Sequence, residues 1–252
     1  MIKKLLVIII ILSVIIPFKT VMAEPVKTII TAPTAFINGF GGIDFNFEAH
    51  VFNVGTGTSA YSNGGLSASI SYGFTDMLDV GICFDVGDLN NGGFLAGPVD
   101  FRQPKLFARL QLLTGAVSLA AGYDARGYRT YDPAAKGYEV TEKGYYLVLS
   151  QRKDVQTTNS IANITAGINV PDFENLQVNA FAAIVISLNE KVLLYAEYWD
   201  TVSDMVGLDG NLSLAAHFPI APESFGIDAG VKNIGRDNLS EFYVRLHLLK
   251  MM

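Results

Sequence analysis

The chain has 252 residues, half of them hydrophobic, and 24 acidic side chains against 18 basic ones give a formal net charge of −6. That excess repels a polyanion, which excludes nucleic acid as a partner for the surface as a whole. The single cysteine, Cys83, excludes an internal disulfide and offers no metal or redox pattern.

Lys3 and Lys4 precede an apolar run from Leu5 to Phe18, and Val21-Met22-Ala23 offers small residues at the positions a signal peptidase reads. This predicts a secretory signal peptide over residues 1–23. An uncleaved membrane anchor needs about 20 apolar residues, and Pro17 and Lys19 interrupt the run too early. Loss of Lys3, Lys4 and Lys19 with that segment leaves 229 residues at a formal charge of −9. No later stretch reaches transmembrane-helix length without Gly, Pro or charge, so any insertion must be by strands. Residues 24–42 are expected to form an N-terminal periplasmic lead-in, and residues 43–252 the inserted domain.

The first strand, 43–52, alternates Asp44, Asn46, Glu48 and His50 against Ile43, Phe45, Phe47 and Ala49. The next segment is the clearest. Leu66, Ala68, Ile70, Tyr72 and Phe74 share one face, with Ser67, Ser69, Ser71 and Gly73 on the other. After a Thr75-Asp76 turn, Leu78, Val80, Ile82, Phe84 and Val86 oppose Asp79, Gly81, Cys83 and Asp85. A period of two across a short polar turn is an antiparallel hairpin. An unbroken apolar face backed by carboxylates is the pattern of a lipid-facing strand with a wet lumen behind it.

Further strands follow near 105–113, 116–124, 144–151, 161–170, 177–188, 191–200, 210–218, 225–233 and 240–249, with strands two and three at 65–74 and 77–86. The count is about twelve, with ten as the alternative if Gln151–Ser160 and Pro219–Ser224 are not turns. Short turns at Thr75-Asp76, Thr114-Gly115 and Asn189-Glu190 alternate with long links at 53–64, 87–104 and 125–143. The long links are rich in Gly, Asn, Asp, Tyr and Pro, the composition of solvated loops. These features predict an all-β fold: a closed antiparallel transmembrane β-barrel with short periplasmic turns and long outer loops, in the outer membrane. A soluble sandwich also has many short strands, but rarely keeps one face of nearly every strand wholly apolar.

The inward set then comprises Glu48, His50, Asp79, Asp85, Arg109, Asp124, Glu197, Asp228 and Arg245 as candidate lumen-lining residues. Closure places the last strand beside the first, with Arg245 and His247 near Glu48 and His50, and Arg109 near the Asp79 and Asp85 strand. A lumen of mixed sign either pairs its charges internally or holds water. Tyr72, Phe74, Tyr145, Tyr146, Tyr195, Tyr198 and Trp199 lie near strand ends and suit the headgroup level of a bilayer. Neither His50, His217 nor His247 has a serine two residues on, and no Gly-x-Ser-x-Gly, His-Glu-x-x-His or P-loop is present. No catalytic residue, cofactor or metal is expected.

Four segments carry a family resemblance: Ala32-Pro-Thr-Ala35, Val99-Asp-Phe-Arg-Gln-Pro-Lys-Leu-Phe-Ala-Arg-Leu110, Ala120-Ala-Gly-Tyr-Asp-Ala-Arg-Gly-Tyr128 and Lys143-Gly-Tyr-Tyr-Leu-Val-Leu-Ser150. With the Ser71–Gly81 hairpin, they make the chain similar to the YjbH-like family of outer-membrane proteins. That resemblance implies a barrel delivered by the outer-membrane barrel assembly machinery, in contact with outer-membrane lipid. It also implies a link with exopolysaccharide, so the expected role is a pore or accessory component for envelope polysaccharide or small-solute passage. The other reading is a plugged barrel that acts through its surface loops in adhesion or envelope organisation. The chain departs from the pattern at Leu248-Leu-Lys-Met-Met252, which lacks a terminal aromatic.

Overall fold

The computed structural model describes residues 29–54, 61–87, 100–101, 104–126, 128–132, 137–140, 143–152, 159–172, 177–188, 192–201, 211–221, 225–234 and 240–250. The expected signal peptide lies outside the described residues. The strands in chain order are β1 (Ile43–Val54), β2 (Tyr61–Thr75), β3 (Leu78–Gly87), β4 (Asp100–Phe101), β5 (Lys105–Leu113), β6 (Val117–Asp124), β7 (Tyr128–Asp132) and β8 (Gly137–Val140). They continue as β9 (Gly144–Arg152), β10 (Asn159–Asp172), β11 (Gln177–Leu188), β12 (Val192–Thr201), β13 (Asn211–Ala221), β14 (Phe225–Ile234) and β15 (Glu241–Lys250).

Twelve of these close into one antiparallel barrel in the order β2-β1-β15-β14-β13-β12-β11-β10-β9-β6-β5-β3, and β3 pairs back with β2. The expected count and all twelve expected segments are present. β4 is a short addition to β3, and β7 and β8 form a separate hairpin within the long link between β6 and β9. The last strand closes on the first from Ile43↔Lys250 to Phe52↔Glu241, so the missing terminal aromatic does not disturb its register.

The two doubtful turns resolve as longer strands. β10 begins at Asn159, before the expected start at 161, with a register shift between Ile161 and Asn163. β13 runs through Pro219 to Ala221, with Pro219 opposite Gly226 and a register irregularity between Pro219 and Ala221.

Alternation sets the two faces. Phe45, Phe84, Leu106, Leu147, Leu214 and Phe242 project outward and are exposed, Phe242 at 64%. In water such a belt is an aggregation surface, whereas hydrocarbon is its natural solvent. Closure leaves the ring of twelve strands no open edge, so its backbone pairs internally, as crossing a bilayer requires.

Inside, ring-bearing residues lie over glycines of the preceding strand. Phe107 covers Gly81, Tyr146 covers Gly122 and Phe181 covers Gly167, each in register with its glycine. A Cβ on any of the three glycines would sit about 2.1 to 2.4 Å from the ring that covers it. Small and large inward residues thus alternate around the wall and narrow the lumen.

Tyr146, Tyr195 and Trp199 correct the expected aromatic girdle. Tyr145 points outward at 54% exposure, but Tyr146 points inward, and Tyr195 is buried in the lumen. Trp199 stacks on Phe181 at a centroid distance of 4.6 Å. Successive strand residues point to opposite faces, so two neighbouring aromatics cannot both face lipid.

Candidate functional site

The lumen is occupied by the chain itself. Residues 29–38, part of the expected lead-in, lie buried against the inward wall, and Ile29, Ala32, Thr34 and Ala35 have no exposed surface. We call this segment the strap. Its apolar side is continuous with an internal cluster of Ala120, Val148, Phe181, Val185, Tyr195 and Tyr243. Such residues lose contact with water by entering the barrel, which favours the inside over an extended path in the periplasm.

A turn at Gly39–Gly42 brings the strap in at the end of the barrel that carries the short turns. Gly41 has φ +78°, which favours glycine. Its N–H donates to the Gly73 carbonyl at 2.9 Å, and the Gly73 N–H donates to Gly42 at 2.9 Å. A Cβ on Gly73 would lie 2.1 Å from the Gly39 carbonyl oxygen, so only glycine permits this approach. The exposed Phe40 donates its N–H to Asp76 Oδ1 at 3.1 Å.

From there the strap crosses the lumen, held by wall side chains at each step. Asp79 accepts the Asn38 N–H at 3.2 Å, and Asn38 Nδ2 donates to Ser71 Oγ at 2.9 Å. Arg109 Nη1 donates to the carbonyls of Phe36 (2.6 Å) and Thr34 (3.1 Å), with its Nε 3.7 Å from Asp79. Gln111 donates to the Ala35 carbonyl at 2.9 Å, and Ser150 Oγ accepts the Ala35 N–H at 2.8 Å.

The far wall grips the other end. Glu197, only 1% exposed, accepts the N–H groups of Ile30 (3.1 Å), Thr31 (2.9 Å) and Ala32 (2.7 Å), together with the Thr31 hydroxyl and Trp199 Nε1. Three successive amides aimed at one carboxylate form an anion nest. Here the anion belongs to the wall and the nest to the strap. Arg245 donates to the carbonyls of Ile29 (2.8 Å) and Ile30 (3.1 Å) and to Asp228 Oδ2 (2.7 Å). Asp228 in turn pairs with His217 Nδ1 at 2.5 Å.

Two further ionic groups lie toward the long-loop end. Lys232 is paired with Glu48 and with Glu241, the latter at 3.0 Å, and lies 4.6 Å above the Tyr243 ring. Glu48, His50 and Glu241 present three possible ligand atoms to one another, but the Lys232 ammonium already supplies the cation that this cluster requires. Asp124 accepts Arg126 Nε (2.8 Å) and Nη2 (2.7 Å), and Lys143 Nζ at 3.2 Å. Burial lowers the Lys143 ammonium below its ordinary pKa, and Asp124 opposes that shift. Asp85 accepts the Cys83 thiol at 3.4 Å.

Glu197, Arg245, Asp228, Arg109 and Asp79 are therefore brought together around the strap. Glu48 belongs to the Lys232 group, and Asp124 and Asp85 lie apart from both. Arg245 is opposite Glu48 in register but engages Asp228 and the strap, and His247 pairs with Asp44 at 2.8 Å. Lys232 and Glu241 are additions to the expected lining. Both were legible, since Lys232 shares the parity of Asp228, and Glu241 that of Arg245. The Gly39-Phe-Gly-Gly42 run beside an apolar, small-residue segment was the signal for the strap.

These features define a closed, twelve-stranded, membrane-spanning β-barrel with an occupied lumen. No family model and no curated protein matches the chain. Among solved structures, it is similar to the KdgM porin at 11% identity and a TM-score of 0.49, over 84% of this chain and 99% of that one. An outer membrane channel from Pseudomonas putida F1 has 12% identity and a TM-score of 0.49, over 86% and 98%. The toluene transporter TodX of P. putida has 10% identity and a TM-score of 0.43, over 86% and 91%.

Proposed function

We propose that this protein is an outer-membrane barrel of a bacterial envelope that is closed at rest by its own N-terminal strap. Its resting role is that of an accessory or structural barrel, not an open general porin. One observation carries this reading: residues 29–38 cross the lumen and are buried there against both walls. The exposed apolar belt supports the membrane location. With short turns on the periplasmic side, the strap enters from the periplasm and the long loops face outward.

A second reading, passage of small solutes or envelope polysaccharide, draws on the polar inward face and on the resemblance to YjbH-like proteins. It requires the strap to move. Planar-bilayer recording of the full-length protein tests the first reading. The wild type should show no steady conductance across a range of salts, and a stable open current would overturn it. A thiol label at 88–98 should be reachable on intact cells, and one at 75–76 should not.

A further inference from the structure

We propose that the wall formed by Glu197, Arg245, Arg109, Gln111 and Ser150 is a peptide-binding site that reads main chain, and that the strap is its exchangeable resident ligand. The inference goes beyond the closed resting state and uses that reading only for its baseline.

The contacts support recognition of backbone. Nine hydrogen bonds between these five residues and the strap end on main-chain atoms, and one joins the Thr31 hydroxyl to Glu197. Donors and acceptors on the wall alternate to match a peptide: a carboxylate for three amides, a guanidinium for two carbonyls at each end, and an amide and a hydroxyl for Ala35. Such a site sets the path and direction of an extended segment without specifying its side chains.

Side-chain selection comes from space. Ala32, Thr34 and Ala35 have no exposed surface, so their positions admit only small residues. The ligand class is therefore an extended peptide with small residues at the positions of 32, 34 and 35.

Exchange is compatible with the barrel because the strap contributes no strand to it. The twelve-strand ring closes through β1–β15 and β2–β3 pairs alone. The ladders that hold the wall in the bilayer do not pass through residues 29–38. A ligand held inside by many reversible contacts, and tethered at Gly39–Gly42, rebinds at high effective concentration. Closure is then the favoured state, and opening a population shift.

The test weakens the strap and leaves the wall intact. Ile29→Asp with Ile30→Asp brings two carboxylates toward Glu197 and removes apolar contacts, and a second variant deletes residues 24–36. Each is made in the full chain, and heat-modifiable gel migration establishes that the barrel is folded. A fluorescent peptide of residues 28–38 should bind either variant and be excluded from the wild type, whose site is filled. The affinity difference should be at least about tenfold, the factor that corresponds to a difference of about 1.4 kcal/mol.

In bilayers, both variants should show openings absent from the wild type, and the unlabelled peptide should close them. Replacing Ala32 and Ala35 of the peptide by Leu should abolish closure, whereas replacing Thr31 by Val should weaken it only a few-fold. Folded variants that ignore the peptide would overturn the proposal. Failure of both variants to fold would also overturn it, by making the strap part of the barrel's core. A conducting wild type that still excludes the labelled peptide would refute the resting closure alone.

Discussion

The two halves of the lumen satisfy their charges in different ways. Toward the short turns, Glu197, Arg245 and Arg109 are satisfied largely by the main chain of the strap. Toward the long loops, Lys232, Glu48 and Glu241 are satisfied by one another, as are Asp124, Arg126 and Lys143. One half therefore depends on a segment outside the wall, and the other pairs its charges within the wall and its flanking loop residues. Buried charge needs partners in either case. What differs is whether those partners can leave.

The largest expected effect falls in the self-contained half. Lys232→Met leaves Glu48 and Glu241 together without their cation, the situation in which breaking a buried pair costs about 3–5 kcal/mol. Urea unfolding of the reconstituted barrel should show that loss equally with and without residues 24–36. A cost that disappears on strap deletion would mean the two halves are coupled, and the division drawn above would fail.

The strap-dependent half should give a smaller and conditional effect. Glu197→Gln turns an acceptor of several donors into a group with its own N–H atoms facing them. Leaving buried amides unsatisfied costs about 1–3 kcal/mol each. In the strap-deleted chain those amides are gone, so the same substitution should cost far less. The difference between the two backgrounds is the coupling energy of a double-mutant cycle. Equal costs in both would place the role of Glu197 with Trp199 and the wall.

A wall substitution separates the outer from the inner face. Val80→Arg puts a cation on the lipid side, where the cost rises from about 0–1 kcal/mol near the interface to about 2–4 kcal/mol at the bilayer midplane. Asp79→Asn, one residue away, faces the strap and keeps an oxygen that can accept the Asn38 N–H. Membrane fractionation should show a loss of inserted protein for Val80→Arg and near-normal insertion for Asp79→Asn.

How much of this was legible follows from the range of each signal. Alternation is local, so the faces of β1, β2 and β3 could be read from the residues themselves. Ion-pair partners were less accessible. Arg245 lies between β1 and β14, and only three-dimensional placement decides that Asp228 and the strap take it in preference to Glu48. The strap itself was hidden because its wall contacts lie 33 to 216 residues away along the chain. Yet the four segments that carry the family resemblance meet there. Arg109 and Ser150 hold Thr34, Ala35 and Phe36, and Ala120 joins Ala32 and Ala35 in the internal cluster. They read as scattered architecture in the sequence and form one site in the fold.

The smallest effect is expected at the rim. His247 Nε2 lies 2.8 Å from Asp44 Oδ1, at the turn end where the strap enters, and its side chain is 30% exposed. Asp44, whose side chain is only 7% exposed, also accepts Asn46 Nδ2 at 3.2 Å, so loss of the imidazole leaves the carboxylate a partner. A partly exposed pair of this kind contributes about 0–1 kcal/mol, and salt screens it. His247→Ala should therefore shift the urea midpoint slightly at low ionic strength and hardly at all at high. The rim would then be solvated, and the dry, strap-filled region would begin only at Asp79 and Arg109. A loss above about 2 kcal/mol that salt does not reduce, the behaviour of a desolvated pair, would extend the dry region to the mouth. The entry of the strap would in that case be sealed, and the exchange proposed above would lack a route.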